Sequence, residues 1–132
     1  MTLAAATLGL IALADPFCAD VLKLAEGARE PIPFQTLRDA EFKPQLLRFG
    51  CFPGGEGYFC QQSMLPPELT TSSISTRIAA CLPDAKIAVE KQPGSRAQTV
   101  VTAAGARFQI EESGAATAST GRILRIQVVS DR

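Results

Sequence analysis

Four cysteines divide this chain unevenly, and their spacing limits what it can fold into more than any other feature. They stand at Cys18, Cys51, Cys60 and Cys81, with successive separations of 33, 9 and 21 residues. Structural zinc sites need close cysteine pairs, roughly two to four residues apart, and none is present. A redox-active Cys-x-x-Cys is missing outright. The even number reads instead as two disulfides, for which four cysteines allow three pairings. Geometry points to one of them. Cys51 and Cys60 flank Phe52-Pro53-Gly54-Gly55-Glu56-Gly57-Tyr58-Phe59. A hairpin turning at Gly55-Glu56 sets the two cysteines directly opposite, with Cβ atoms about 4.5–5.5 Å apart. A disulfide requires roughly 3.5–4.5 Å, which is within adjustment. Cys18 then pairs with Cys81 and ties a first helix to the end of a second, closing a loop worth about 4 kcal/mol of chain entropy.

Disulfides imply an oxidising compartment, and the first residues agree. Leu3 to Leu13 is an uncharged run of Leu, Ile, Ala, Gly and Thr, ending in Ala12-Leu13-Ala14 before Asp15-Pro16. It is too short to cross a bilayer core of roughly 30 Å as a helix. Small residues at the first and third positions of that triplet fit cleavage after Ala14. Residues 1–14 are therefore expected to be a signal peptide, although no Lys or Arg follows Met1. Cys18 is preceded by Asp15, Pro16 and Phe17 where a lipoprotein would carry small residues. The expectation is a periplasmic or secreted bacterial protein without a lipid anchor or a membrane span after processing. Residues 15–132 form one domain.

Periodicity supplies the elements. Phe17, Val21, Leu24, Ala25 and Ala28 recur at helical spacing, behind Asp15 as N-cap and Pro16 in the first turn. Glu30-Pro31-Ile32-Pro33 ends that helix. Leu46 to Phe52 and Tyr58 to Ser63 read as paired strands. A second helix is expected from Pro66-Pro67-Glu68 to about Leu82, with Ile74, Ile78, Cys81 and Leu82 inward. Lys86 to Lys91 alternates with Ile87 and Val89 inward, and Pro93-Gly94-Ser95 makes a turn. Thr99 to Thr102 and Arg107 to Glu111 form a hairpin about Ala103-Ala104-Gly105. Glu112 to Thr120 is a loop, and Arg122 to Val129 a last strand with Leu124, Ile126 and Val128 on one side. The order is helix, two strands, helix, three to four strands. This predicts an α+β fold, with two helices packed on one face of an antiparallel sheet built from hairpins.

Composition narrows the chemistry. The 13 basic and 13 acidic residues cancel, which argues against a nucleic-acid binder. The chain has no His, so imidazole catalysis and His-ligated metals are excluded. It has no Asn either, so N-glycosylation is excluded. Glu111 and Glu112 are adjacent on a strand and point to opposite faces, so they do not converge on a substrate. Neither does Asp84 face a second acid by any visible pattern. The serines have no His, and no Ser-x-x-Lys occurs. Gly54-Gly55-Glu56-Gly57 lacks the following Lys-Ser/Thr of a phosphate loop and joins two strands. No catalytic residue, metal ligand or cofactor motif is assigned.

Two surfaces are candidates for interaction. One is the braced hairpin tip: Pro53, Gly54, Gly55, Glu56, Gly57 and Tyr58. The other is a basic sheet face formed by Arg107, Arg122 and Arg125, which the neighbouring Glu111 and Glu112 would partly neutralise. The favoured function is a non-enzymatic binding or structural module of the bacterial envelope, partnered by a protein or another envelope component. An inhibitor of an envelope enzyme is its concrete form. The alternatives are a thiol-based enzyme or redox sensor, which needs one free accessible cysteine, and a module with an apolar pocket between helices and sheet.

Overall fold

Asp15 opens the first helix by accepting a hydrogen bond from the Phe17 N–H at 3.0 Å, while Pro16 sits where no donor is needed. In this computed structural model, residues 15–91 and 97–131 are described. The apolar segment 1–14 and the turn at Pro93-Gly94-Ser95 lie outside the described residues. Helix α1 spans Pro16–Ala28 and buries Phe17, Val21, Leu24, Ala25 and Ala28, the stripe its periodicity predicts. A short helix α2, Gln35–Asp39, follows Phe34, whose φ of 64° is left-handed and whose ring is fully buried.

The sheet comprises β1 (Cys51–Gly54), β2 (Gly57–Gln62), β3 (Lys86–Lys91), β4 (Ala97–Ala103), β5 (Ala106–Gly114) and β6 (Arg122–Ser130). Its order is β1-β2-β6-β5-β4-β3, with every neighbour antiparallel. Helix α3, Thr71–Ala80, separates β2 from β3. The protein is an α+β fold with three helices and a six-stranded antiparallel sheet among the described residues. Alternate strand residues make the core. Tyr58, Val128, Phe108 and Val101 lie in one cross-strand row, and Cys60, Ile126 and Ile110 in the next. With Val21, Leu24, Phe34 and Ile78 from the connections above them, all of these are fully buried.

Both disulfides adopt the expected pairing. Cys51 and Cys60 are directly opposite in the β1–β2 register, with Cα atoms 4.3 Å apart. Cys18 in α1 is joined to Cys81 at the C-cap of α3, with Cα atoms 5.1 Å apart.

Several boundaries differ from expectation. Among them is the end of β5, which runs to Gly114 and takes in the first three residues of the loop expected from Glu112, because these residues pair with residues 122–124 of β6. Leu46 and Leu47 are both buried, and consecutive inward residues cannot alternate across a sheet. The segment before Cys51 is accordingly a turn-rich loop, and the strand starts only at Cys51. Helix α3 starts at Thr71 and not at the prolines. Thr70 and Ser73 form a reciprocal capping box, which satisfies two amide donors that Pro66 and Pro67 cannot. Ahead of it, Arg122 holds the loop by donating to the carbonyls of Leu69 (2.6 Å) and Pro66 (3.3 Å).

Candidate interaction surface

The hairpin is locked from three directions. Gly54 and Gly57 pair across a two-residue turn whose first central residue, Gly55, has φ +60°, a left-handed conformation glycine adopts without strain. Below the turn the Cys51–Cys60 disulfide closes the ladder. From the neighbouring strand, Gln127 Nε2 donates to the carbonyls of Gly54 and Tyr58, each at 3.2 Å. The outer edge of β1 is closed as well. The Cys51 N–H donates to the Pro44 carbonyl at 2.8 Å, and Pro53 has no N–H to offer.

The structure divides the predicted tip into two parts. Pro53, Gly55 and Glu56 are exposed and Gly54 is half-buried, so these four are available to a partner. Gly57 and Tyr58 are buried. A Cβ at Gly57 would meet the Val128 backbone, and the Tyr58 ring is wedged edge-on against Phe34 and Phe42, with centroids 5.7 and 6.2 Å away. Tyr58 is therefore an anchor of the hairpin and not a contact residue.

Exposed apolar surface lies on β1 and in the turn that precedes it. Phe52 is 56% exposed and meets Phe59 edge-to-face, with centroids 5.8 Å apart. Phe49 is 71% exposed, with the Arg48 guanidinium 5.7 Å from its ring centroid. A signal for the Phe52–Phe59 pair was present. In a hairpin that turns Cys51 and Cys60 inward, the adjacent Phe52 and Phe59 must point outward. A cleft of about 370 Å³ borders the tip, lined by Ile32, Pro33, Arg38, Gly55, Glu56 and Ser130.

The Tyr58 hydroxyl is buried and has no hydrogen-bond partner among the described residues. Burial pushes its pKa above the ordinary 10.0, while Arg38 pulls in the opposite direction. A raised folded-state pKa gives stability that is complete below the unfolded value and lost as pH climbs through the folded one. Tyr58→Phe removes both the unsatisfied group and this titration. It is expected to leave stability unchanged or raise it by about 1 kcal/mol at neutral pH. It should also flatten the alkaline fall above pH 10.0 in a urea-midpoint series. A loss exceeding about 1 kcal/mol would mean that the hydroxyl has a partner.

The three arginines do not form a shared basic face. Arg107 and Arg125 lie on the sheet face opposite the core, but Arg122 shares the register parity of Leu124 and Ile126 and turns the other way. Each arginine is also engaged. Arg107 pairs with Glu90 at 2.6 Å. Arg125 donates to Ser113 and Gln61. Arg122 pairs with Glu112 at 3.0 Å, and the hydrogen bond from its guanidinium holds the Glu112 carboxyl below the usual carboxylate range. These cations support each other's strands and the loop before α3.

All four cysteines are paired, which removes the free thiol that a thiol enzyme or redox sensor requires. The core between helices and sheet is filled by Val21, Leu24, Ile78, Phe108 and Ile110, each fully buried, and a cleft of about 370 Å³ opens at its edge between α1, α3 and the end of β2, lined by Phe17, Leu46, Leu47, Gln62, Leu69 and Ile74. No three Cys, Asp or Glu side chains cluster as a metal site among the described residues. No family model, curated protein or solved structure matches this chain.

Proposed function

We propose that this protein is an exported binding module that presents the braced β1–β2 hairpin to a protein partner, and that an inhibitor of an envelope enzyme is its most concrete form. The observation that carries this is Phe52, a ring 56% exposed on the disulfide-locked strand β1, with exposed Phe49 in the turn that leads into that strand. Large apolar side chains exposed on rigid backbone are disfavoured on a surface that only meets water. They suit a partner site, because their low flexibility leaves little entropy to be lost on binding. Glu56 at the tip and Arg48 beside Phe49 add charge for orientation. Export is supported by the two disulfides and by the apolar run from Leu3 that ends in Ala12-Leu13-Ala14.

A photo-crosslinking amino acid in place of Phe52 tests the surface in the native cells, with the same group at exposed Thr76 on α3 as reference. The expected result is one protein adduct at position 52 that is absent at 76 and lost when Phe49→Ala and Glu56→Arg are added. Equal adducts at both positions, or none at 52, would reject the hairpin as the binding site. Intact mass under denaturing alkylation tests export separately. A chain beginning at Asp15 with no alkylated thiol is expected, and an uncleaved chain with four alkylated thiols would refute export.

A further inference from the structure

The two edges of the sheet are built differently. Edge strand β1 has four residues, a proline and its one outward donor already used by Pro44. The opposite edge, β3, has six residues and no proline, and among the described residues it pairs only with β4. Long unprotected edges are uncommon, because a row of unpaired N–H and C=O groups is a template for another strand. This edge is apolar as well. Ile87 stands in the buried row Val101–Phe108–Val128, and Val89 next to Thr99 in the row of Ile110 and Ile126. Both continue core rows, yet Ile87 is 47% and Val89 69% exposed.

We infer that β3 is a self-association edge, where a second copy of this chain pairs antiparallel across a two-fold axis at Ala88 and extends the sheet. The sequence of the strand, Lys86-Ile87-Ala88-Val89-Glu90-Lys91, selects this occupant and this register. A two-fold axis at Ala88 sets Lys86 against the partner's Glu90, and Ile87 against the partner's Val89. Each contact occurs twice. Directly opposed residues lie on the same face. The two Ile–Val pairs therefore continue the core face, and the two Lys–Glu pairs lie on the other face, where Glu90 already meets Arg107. A slip of one residue opposes Lys86 with the partner's Lys91 and Ile87 with the partner's Glu90. That slip also puts the core face of one copy level with the outer face of the other. The same strand thus favours one register by charge and by apolar matching, and penalises its neighbour by both.

Sedimentation of the purified wild-type protein over roughly 10 μM to 1 mM is expected to show reversible conversion from monomer to dimer, the range of a small interface. Val89→Lys places a cation in the apolar pairs at an already exposed position, so it should leave the thermal midpoint unchanged and shift the dissociation constant at least tenfold. Ala88→Cys should give a covalent dimer under a glutathione redox buffer, since the axis sets the two positions opposite, with both native disulfides intact by peptide mapping. Thr76→Cys on α3 should give none. A wild-type monomer up to about 1 mM overturns the inference. So does a dimer that persists unchanged in Val89→Lys, or one in which Ala88→Cys crosslinks no better than Thr76→Cys. These readouts do not involve the hairpin, so this proposal and the binding role stand or fall separately.

Discussion

Replacing Cys18 and Cys81 together by alanine is expected to lower stability by about 4 kcal/mol and the thermal midpoint by roughly 15 °C. The bond joins residues 63 apart in sequence, so cutting it frees a long loop in the unfolded chain. For a domain of this size that is a large share of a total of about 5–15 kcal/mol. The effect should be felt most in α3. That helix carries Thr71, Ser72, Ser73, Ser75 and Thr76, which are weak helix formers, and its buried residues are only Ile74, Ser75 and Ile78. Urea unfolding followed by circular dichroism gives the midpoint, and hydrogen exchange locates the loss. An unchanged midpoint would show that packing alone holds α1 and α3 in place, including the stack of the Arg77 guanidinium 3.9 Å from the Phe17 ring centroid.

Gly57→Ala is the second large effect, and it separates two glycines that look alike in sequence. A Cβ at Gly57 would lie 2.9 Å from the Val128 carbonyl carbon and closer still to its oxygen, with Phe34 at 3.1 Å behind it. Strand β2 cannot keep its register on β6 with that atom present. The expected loss is about 4 kcal/mol or more, within the exceptional range for one methyl group. At Gly55 the constraint is different. The nearest atom to a Cβ there is Gln127 Nε2 at 3.9 Å, so space is available and only the left-handed φ of +60° opposes alanine. Gly55→Ala should cost about 1 kcal/mol. Chemical denaturation of the two variants side by side decides it. Equal losses would mean that β2 and β6 do not approach as closely as described.

Much of this architecture was legible locally. Asp15-Pro16 announced the start of α1, because a side-chain acceptor and a residue without a donor suit adjacent positions at a helix start. The hairpin about Gly55-Glu56 placed Cys51 opposite Cys60, and that pairing left only Cys18 with Cys81. The turn at Ala104-Gly105 followed from small residues, which take φ values of 53° and 85°. Period two alone puts Arg122 on the side of Leu124 and Ile126, away from Arg125. The outward placement of Phe52 beside Cys51 follows for the same reason.

The alternation of the strands, the start of α1 and the facing of Cys51 and Cys60 were legible in the sequence, because each depends on neighbours a few residues apart. How deeply each face is covered depends on packing between distant parts of the chain. Ile87 and Val89 alternate like any core strand, but β3 lies at the end of the sheet order and is left uncovered. Tyr58 has a polar end and stands at the start of a strand in the candidate contact tip, but Phe34 and Phe42, distant in sequence, close over it. Leu46 and Leu47 resemble the start of a strand, but both are buried, which no half-buried ladder allows. Periodicity states which side of a strand is apolar. What lies against that side is set by strand order and loop packing, and those depend on contacts between residues far apart in the chain.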